Sequence, residues 1–452
     1  MNTDRSHRIH RIDSPPALRL HRRQLLTSAL AGAAGLAGLP SARAAGSADP
    51  ARLQAALRAL PELVRNALRI TSIPGLAIAV VQGGRTVFAE GFGVRQAGQP
   101  GRVDADTVFE LASVSKPLAA TVVARQVGEG RVAWDTPLHQ LLPGFALSDP
   151  ATTAQVTVGD MFAHRSGLPD HAGDMLEMLG FTQRQAFEKL RLIPVKPLRS
   201  AYAYTNLGLT AAAVGVAQAA GADWSSLCER TLYAPLGMSR THSSYRAFMA
   251  QDNRAISHMR GGRAWKASPL RDADLQSAAG GASSSVNDMA RWMALVLAGG
   301  RWQGQPLVAP DALQAMLTPQ SPGGGYGFGI NVAGRTSGGL PLYDHSGAFV
   351  SGASTAVTLV PGLDLGIVAL SNTWPVGVPE AVSRQFIDLV EKGEITQDWW
   401  ALFSNAFRGV LAPTGAMLGL PEPTDPAPQQ AWARYTGQYG NDYLGQVQVD
   451  AL

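Results

Sequence analysis

Residues 109–117 read FELASVSKP, and this stretch decides how the rest of the chain is interpreted. It places a serine and a lysine, Ser113 and Lys116, three positions apart. If a helix begins here, both side chains lie on one face, close enough for the amine to take a proton from the hydroxyl. The chain has only five lysines among 38 basic residues, and arginine cannot act as a base at ordinary pH. The alternative is an ordinary helix start with a solvated lysine.

Pro117 indicates where that helix begins. Proline is tolerated in the first helical turn, where its missing N–H has no partner to lose. An apolar segment follows at 118–127, and glycines at 128 and 130 end it. The pattern predicts a helix that starts near Ser113, which places the serine among free backbone N–H groups at the positive end of the helix dipole.

Strand patterns occur at both ends of the chain. An amphipathic helix is predicted over 51–70, and two strands at 75–81 and 86–91 flank the turn QGGR, whose glycines permit positive φ. Four further strands are predicted at 326–332, 340–343, 353–359 and 365–371, followed by a helix over 379–393. The sequence therefore predicts an α/β (α+β) fold in which both chain ends build an antiparallel sheet flanked by terminal helices, with an all-helical insertion at about 118–300.

Residues 1–44 are typical of a twin-arginine export signal. The letters RRQLL at 22–26 precede an apolar run to residue 39 and then ARA at 42–44. That run is shorter than the roughly 20 residues that span a bilayer, although an uncleaved membrane anchor is the alternative. We expect cleavage near Ala44 and an exported, periplasmic protein with no membrane span in the mature chain.

Removing the signal changes the charge balance. The remaining chain has 31 basic and 32 acidic residues, so its charge does not favour a nucleic-acid partner. The single cysteine, Cys228, cannot form an internal disulfide, so the hydrophobic core must stabilise the fold.

The main domain is predicted over 45–395. A helical extension at 396–420 and a proline-rich linker at 421–430 follow it. Residues 431–452 contain two strand patterns, which are too few for an independent fold. They are interpreted as the remnant of a truncated β accessory domain, or as strands that dock elsewhere.

Three motifs occur in a fixed order along the chain. They are SVSK at 113–116, YTN at 204–206 and HSG at 345–347. In this order the sequence resembles the serine β-lactamase and penicillin-binding-protein superfamily, especially its class C, D-aminopeptidase and esterase branch, where the elements are S-x-x-K, Y-x-N and K-T-G or H-x-G. The resemblance extends over about 70–372 and implies a β-lactamase/transpeptidase-like fold.

The resemblance implies roles in acyl transfer. Ser113 would attack a carbonyl carbon and become acylated, while Lys116 and Tyr204 would share the proton transfers, with the main base left open between them. Asn206 would bind a substrate amide or hold Lys116, and its alternative is a helix cap.

The third motif completes the predicted substrate site. His345, Ser346 and Gly347 would line it, and Ala348 would donate its backbone N–H, together with that of Ser113, to the oxyanion. β-Lactamases and carboxypeptidases commonly have lysine where this chain has His345, and imidazole is mostly neutral near pH 7. This difference favours D-aminopeptidase or esterase chemistry.

The sequence thus predicts a serine hydrolase that cleaves an ester or amide, including a D-amino-acid peptide, in a small-molecule or short-peptide substrate. The alternatives are a true β-lactamase or DD-carboxypeptidase and, from a different class, a penicillin sensor that acylates without turnover. No cofactor is predicted, because neither a His-Glu-x-x-His nor a paired-cysteine pattern supports a metal site. Two further matches, HAG at 171–173 and YGN at 439–441, fall in the wrong order and are interpreted as a loop and a strand.

Overall fold

The computed structural model describes residues 48–451 apart from 263, 413, 414, 416, 422, 423 and 425–427. The predicted export signal at 1–44 lies outside these residues. Within them, no helix combines the length and the apolar character that a membrane crossing requires.

A six-stranded antiparallel sheet lies at the centre of the fold, in the order β2-β1-β12-β11-β10-β9. The strands are β1 Gly75–Gln82, β2 Arg85–Gly93, β3 Phe109–Glu110, β4 His258–Gly261, β5 Ala264–Ala267, β6 Ser283–Ser284, β7 Arg301–Trp302, β8 Gln305–Pro306, β9 Asn331–Arg335, β10 Pro341–Phe349, β11 Ala353–Val360, β12 Leu365–Ser371, β13 Gly437–Asn441 and β14 Gly445–Val449. The sheet combines two strands from the amino-terminal part with four from the carboxyl-terminal part. The predicted α/β (α+β) fold class is therefore confirmed, but the insertion at about 118–300 is not all-helical, because β4, β5 and β6 lie within it.

Helices cover both faces of this sheet. They are α1 Pro50–Thr71, α2 Ser115–Gly128, α3 Leu138–Leu141, α4 Pro150–Gln155, α5 Val158–Phe162, α6 Asp174–Met178, α7 Gln183–Lys189, α8 Asn206–Ala219, α9 Trp224–Cys228, α10 Ala234–Leu236, α11 Tyr245–Met249, α12 Ser277–Gly280, α13 Val286–Leu297, α14 Pro310–Met316, α15 Val378–Lys392 and α16 Trp399–Val410. Because α1 and α15 cover one face and the inserted helices cover the other, the central strands have apolar side chains on both sides.

Strand β1 shows how its sequence fits between these layers. Side chains alternate between the two faces of a strand. Leu76 and Ile78 belong to the core shared with α1 and α15, whereas Ala77 and Ala79 belong to the core of the inserted helices. The β1–β2 turn has positive φ at both Gly83 and Gly84, which is the conformation predicted from the letters QGGR.

The prediction of a strand at 326–332 is wrong over most of its length. Strand β9 begins at Asn331, and residues 326–330 form a turn in which Gly329 has a φ of +73°. A Cβ atom at Gly329 would lie 2.8 Å from the carbonyl oxygen of Lys116, so glycine permits a close approach to α2. Strand β10 is also longer than predicted and carries the third sequence motif.

The carboxyl-terminal strands β13 and β14 pair with each other as a hairpin. Its turn contacts the inserted helices, because Lys189 Nζ donates a hydrogen bond of 2.7 Å to the backbone oxygen of Asp442. The domain boundaries at 395, 420 and 430 stay predictions.

Glu380 on α15 generates a stability prediction. Burial raises the pKa of its carboxyl group from 4.5 to about 7, with the Ser346 hydroxyl acting in the opposite direction. The folded state therefore binds more protons than the unfolded state between these values, and stability falls as pH rises through this range. At about 1.4 kcal/mol per pKa unit, the loss is on the order of 3 kcal/mol at pH 8.

Glu380→Gln should therefore raise the melting temperature at pH 8 and change it much less at pH 5, as measured by circular dichroism. Glu90→Gln, at an exposed position on β2, is the matched control and should change neither value. An equal effect of Glu380→Gln at both pH values would contradict the prediction.

Candidate active site

A tight turn presents Ser113 at the start of α2. A 3-10 turn covers Ala112–Val114, and the α-helix follows from Ser115, within two residues of the predicted start. Ala112 has a φ of +47°, a left-handed conformation that is uncommon for a residue with a side chain. Such strain is frequent at functional sites, where the surrounding structure holds the backbone in place.

The ammonium group of Lys116 is the centre of the site. The side chain is fully buried, and Nζ donates to Ser113 Oγ at 3.2 Å, to Asn206 Oδ1 at 2.7 Å and to the backbone oxygen of Ala279 at 2.8 Å. Three acceptors match the three N–H groups of an ammonium. The structure thus brings the predicted serine, lysine and asparagine together.

Asn206 connects this group to a carboxylate. Its Nδ2 donates to Asp174 Oδ2 at 2.9 Å, while its Oδ1 faces Lys116. The helix α8 begins at Asn206 itself, and Thr205 occupies the position that a capping residue would take. Of the readings given for Asn206, the structure shows the contact with Lys116 and not the helix cap.

Tyr204 lies directly beside the lysine, within a group of aromatic rings. Lys116 Nζ is 4.5 Å from the centre of the Tyr204 ring, and the His164 ring centre is 4.4 Å from it. Tyr202 and Tyr326 pack around the same imidazole. These rings form an aromatic wall of phenol and imidazole groups, which are uncharged or weakly basic, next to the buried ammonium of Lys116.

His345 on β10 faces the same space as a neutral imidazole. Burial lowers its pKa from 6.5 to about 3, and the positive charge of Lys116 acts in the same direction. Nδ1 lies 2.8 Å from the backbone oxygen of Ser346, and Nε2 lies 2.9 Å from the Tyr326 hydroxyl. Because a carbonyl oxygen only accepts, Nδ1 carries the proton and Nε2 accepts from Tyr326.

The rest of the third motif brings strand β10 against the serine. A Cβ atom at Gly347 would lie 2.2 Å from the Leu111 carbonyl oxygen and 3.1 Å from the Ser113 nitrogen, so only glycine allows this approach. The exposed Ala348 comes next on the strand. Ser346 points to the opposite face, where its hydroxyl influences Glu380, and it does not join the other predicted site residues.

Comparisons with known proteins agree with this arrangement. The family model described as Beta-lactamase matches residues 57–392. The chain belongs to this family. Its relatives include the unguisins hydrolase ungD of Aspergillus violaceofuscus, which is 26% identical over 85% of this chain and 75% of the relative, and the esterase EstB of Burkholderia gladioli, which is 32% identical over 42% and 52%. A class C beta-lactamase structure from Rhodobacter sphaeroides has a TM-score of 0.59 at 21% identity, covering 74% of this chain and 98% of that one.

As a beta-lactamase-family hydrolase, the protein also has site residues that the motifs did not identify. Ala279 contributes only a backbone oxygen, which leaves no signal in the sequence. Asp174 lies 32 positions before its partner Asn206, and only the fold brings them together. His171 lies in the loop predicted for it, yet its ring centre is 5.8 Å from that of Tyr204. Across the described ranges, no group of three or more His, Cys, Asp or Glu side chains could hold a metal ion.

Gly347→Ala tests the contact between β10 and the turn that carries Ser113. The added methyl group must push the strand away from Leu111 and Ser113, so we expect kcat/KM for an activated ester to fall by roughly 100-fold, the cost of losing an oxyanion donor. Gly409→Ala on α16 is the matched control, because its Cβ would meet no atom within 4 Å. Retention of full activity by Gly347→Ala would contradict the role given to this glycine.

Proposed function

We propose that the protein is a serine hydrolase that cleaves an uncharged ester or amide through an acyl-enzyme on Ser113. The observation that carries the proposal is the buried Lys116 ammonium, which contacts both Ser113 Oγ and Asn206 Oδ1. A cation at this position favours the anionic forms of neighbouring groups, which is what activation of a hydroxyl requires.

Tyr204 is the base in this proposal. We assign Lys116, whose Nζ lies within hydrogen-bond distance of three oxygens, as an ammonium, which cannot accept a proton at the same time. The phenol of Tyr204 lies next to that charge, and a phenolate there would be stabilised by it. The tyrosine would take the Ser113 proton as the Oγ–carbon bond forms, and would give it to the leaving group as the scissile bond breaks.

The second half-reaction uses the same groups. A water molecule gives a proton to Tyr204 and attacks the acyl carbon, and the ester bond to Ser113 then breaks. The proton returns to Ser113 Oγ and the acid leaves. Backbone N–H groups of Ser113 and Ala348 would stabilise the oxyanion in both steps.

His345 supports the choice of an uncharged substrate. A neutral imidazole that is buried against Tyr326 offers no positive charge to a substrate carboxylate. The relative named as an esterase is consistent with ester cleavage, and the relative named as an unguisins hydrolase with hydrolysis in general.

The nucleophile can be tested by intact-mass spectrometry. We expect a fluorophosphonate to add one adduct to the wild-type protein and none to Ser113→Ala, which should also lose at least about 1,000-fold in kcat for p-nitrophenyl butyrate. Ser225→Ala on α9, which removes a serine hydroxyl outside the site, is the matched control and should be labelled like the wild type. Ester hydrolysis by Ser113→Ala at the wild-type rate would refute the proposal, and a permanent penicillin adduct without turnover would instead favour a sensor.

Substrate charge can be tested with two aryl esters that differ only in a carboxylate on the leaving group. We expect the uncharged ester to have at least about a 10-fold higher kcat/KM, and this ratio should stay constant between pH 5 and 9 because His345 stays neutral throughout. A nitrocefin assay under the same conditions covers the β-lactamase alternative. A preference for the charged ester that grows as pH falls through 6 would show that His345 binds a proton and would contradict the prediction.

A further inference from the structure

The amide of Asn206 is held from two opposite sides. Its oxygen accepts from the Lys116 ammonium, and its nitrogen donates to the Asp174 carboxylate. An amide has one accepting and one donating end, and rotation by 180° would turn the NH2 group towards the ammonium. The carboxylate, which only accepts, therefore selects the orientation in which Lys116 finds an acceptor.

Asp174 lies at the first residue of α6, and the chain before it is pressed against α8. Gly173 has a φ of +85°, and a Cβ atom there would lie 2.4 Å from Leu207 Cδ2, next to Asn206. The titratable neighbours of Asp174 are His171, whose Nδ1 contacts the same oxygen, Glu177 on α6 and Tyr443 on the carboxyl-terminal hairpin. One oxygen of the carboxylate is thus held by both His171 and Asn206.

The carboxyl-terminal hairpin reaches this segment through its turn. Tyr443 is half-buried against the core of the inserted helices. Burial raises the pKa of its hydroxyl, the Gly173 backbone opposes this shift and the Asp174 charge adds to it. Phe181 and Lys189 hold the same turn, the first against Gly445 and the second on the backbone oxygen of Asp442.

We propose that Asp174 is a positioning residue that orients Asn206 towards Lys116. This inference rests on the function proposed above. A continuous set of hydrogen bonds runs from Asp174 through Asn206 to the ammonium beside Ser113.

Three variants at these positions have graded effects. Asp174→Leu removes the acceptor and the charge, so kcat for an activated ester should fall by about 10- to 100-fold with KM within about threefold, because the amide loses its orientation while the substrate site stays intact. Asp174→Asn keeps an accepting oxygen and removes only the charge, so we expect a fall below about fivefold. Tyr443→Phe leaves the Asp174 carboxylate and its contacts with His171 and Asn206 in place, so kcat should stay at the wild-type value.

The pH profile distinguishes a positioning role of Asp174 from an effect of the variants on folding. Without the negative charge of Asp174, the Lys116 ammonium is less stabilised, so the alkaline limb of the kcat/KM profile should move down by about 0.5 to 1 pH unit in Asp174→Asn. Tyr443→Phe keeps that charge and should leave the limb where it is. Melting temperatures report on folding in each variant.

Tyr439→Phe is the matched control on the same hairpin, since that hydroxyl bonds only locally, to the backbone oxygen of Tyr435 at 2.9 Å. It should leave kcat and the pH profile unchanged. If Asp174→Asn keeps the wild-type profile, the inference is wrong, and this holds even if Asp174→Leu fails to fold. Fluorophosphonate labelling distinguishes the two proposals, because an unlabelled wild-type protein would refute the acyl-enzyme itself, whereas equal labelling rates in wild type and variants would refute only the role of Asp174.

Discussion

The buried ammonium of Lys116 is the interaction on which the active site depends. A charge in the protein interior is costly unless it is paired and hydrogen-bonded. Its three acceptors come from the turn before α2, the start of α8 and the helix α12, so the charge requires these three elements to meet at one point. The same charge helps to keep His345 neutral. The charge of Lys116 thereby organises the contacts around Ser113 and also favours an uncharged imidazole at His345.

The sheet provides the second fixed component. Strand β1 from the amino-terminal part pairs with β12, and β12 pairs with β11. Strand β10 lies next to β11 and carries the third motif on the side of the inserted helices. Gly347 brings the backbone of that strand against the Ser113 turn, and the Thr355 hydroxyl of β11 donates to the Leu111 oxygen at 2.7 Å. Ser113, the proposed nucleophile, is thus held between the sheet and a buried helix, which suits the two-step reaction proposed for it.

Much of this could be predicted from local patterns. The hairpin around Gly83 and Gly84 and the helix start near Pro117 follow from backbone constraints that belong to single residues. The prediction of a strand at 326–332 was wrong because the alternating apolar residues there belong to a turn. Gly329 in this turn lies too close to α2 for a strand. Such an approach depends on residues that are distant in sequence, so a local pattern cannot report it.

The sequence by itself determined the order of the motifs, the residue types that carry the chemistry and the fold in which they occur. Only the tertiary structure decided how those residues are used. It turned Ser346 away from the site, because side chains alternate along β10, and it added Asp174 and the Ala279 oxygen, which no motif contains. The physical reason is that hydrogen bonds around a buried charge are chosen by distance in space, and helix packing, not spacing along the chain, sets that distance.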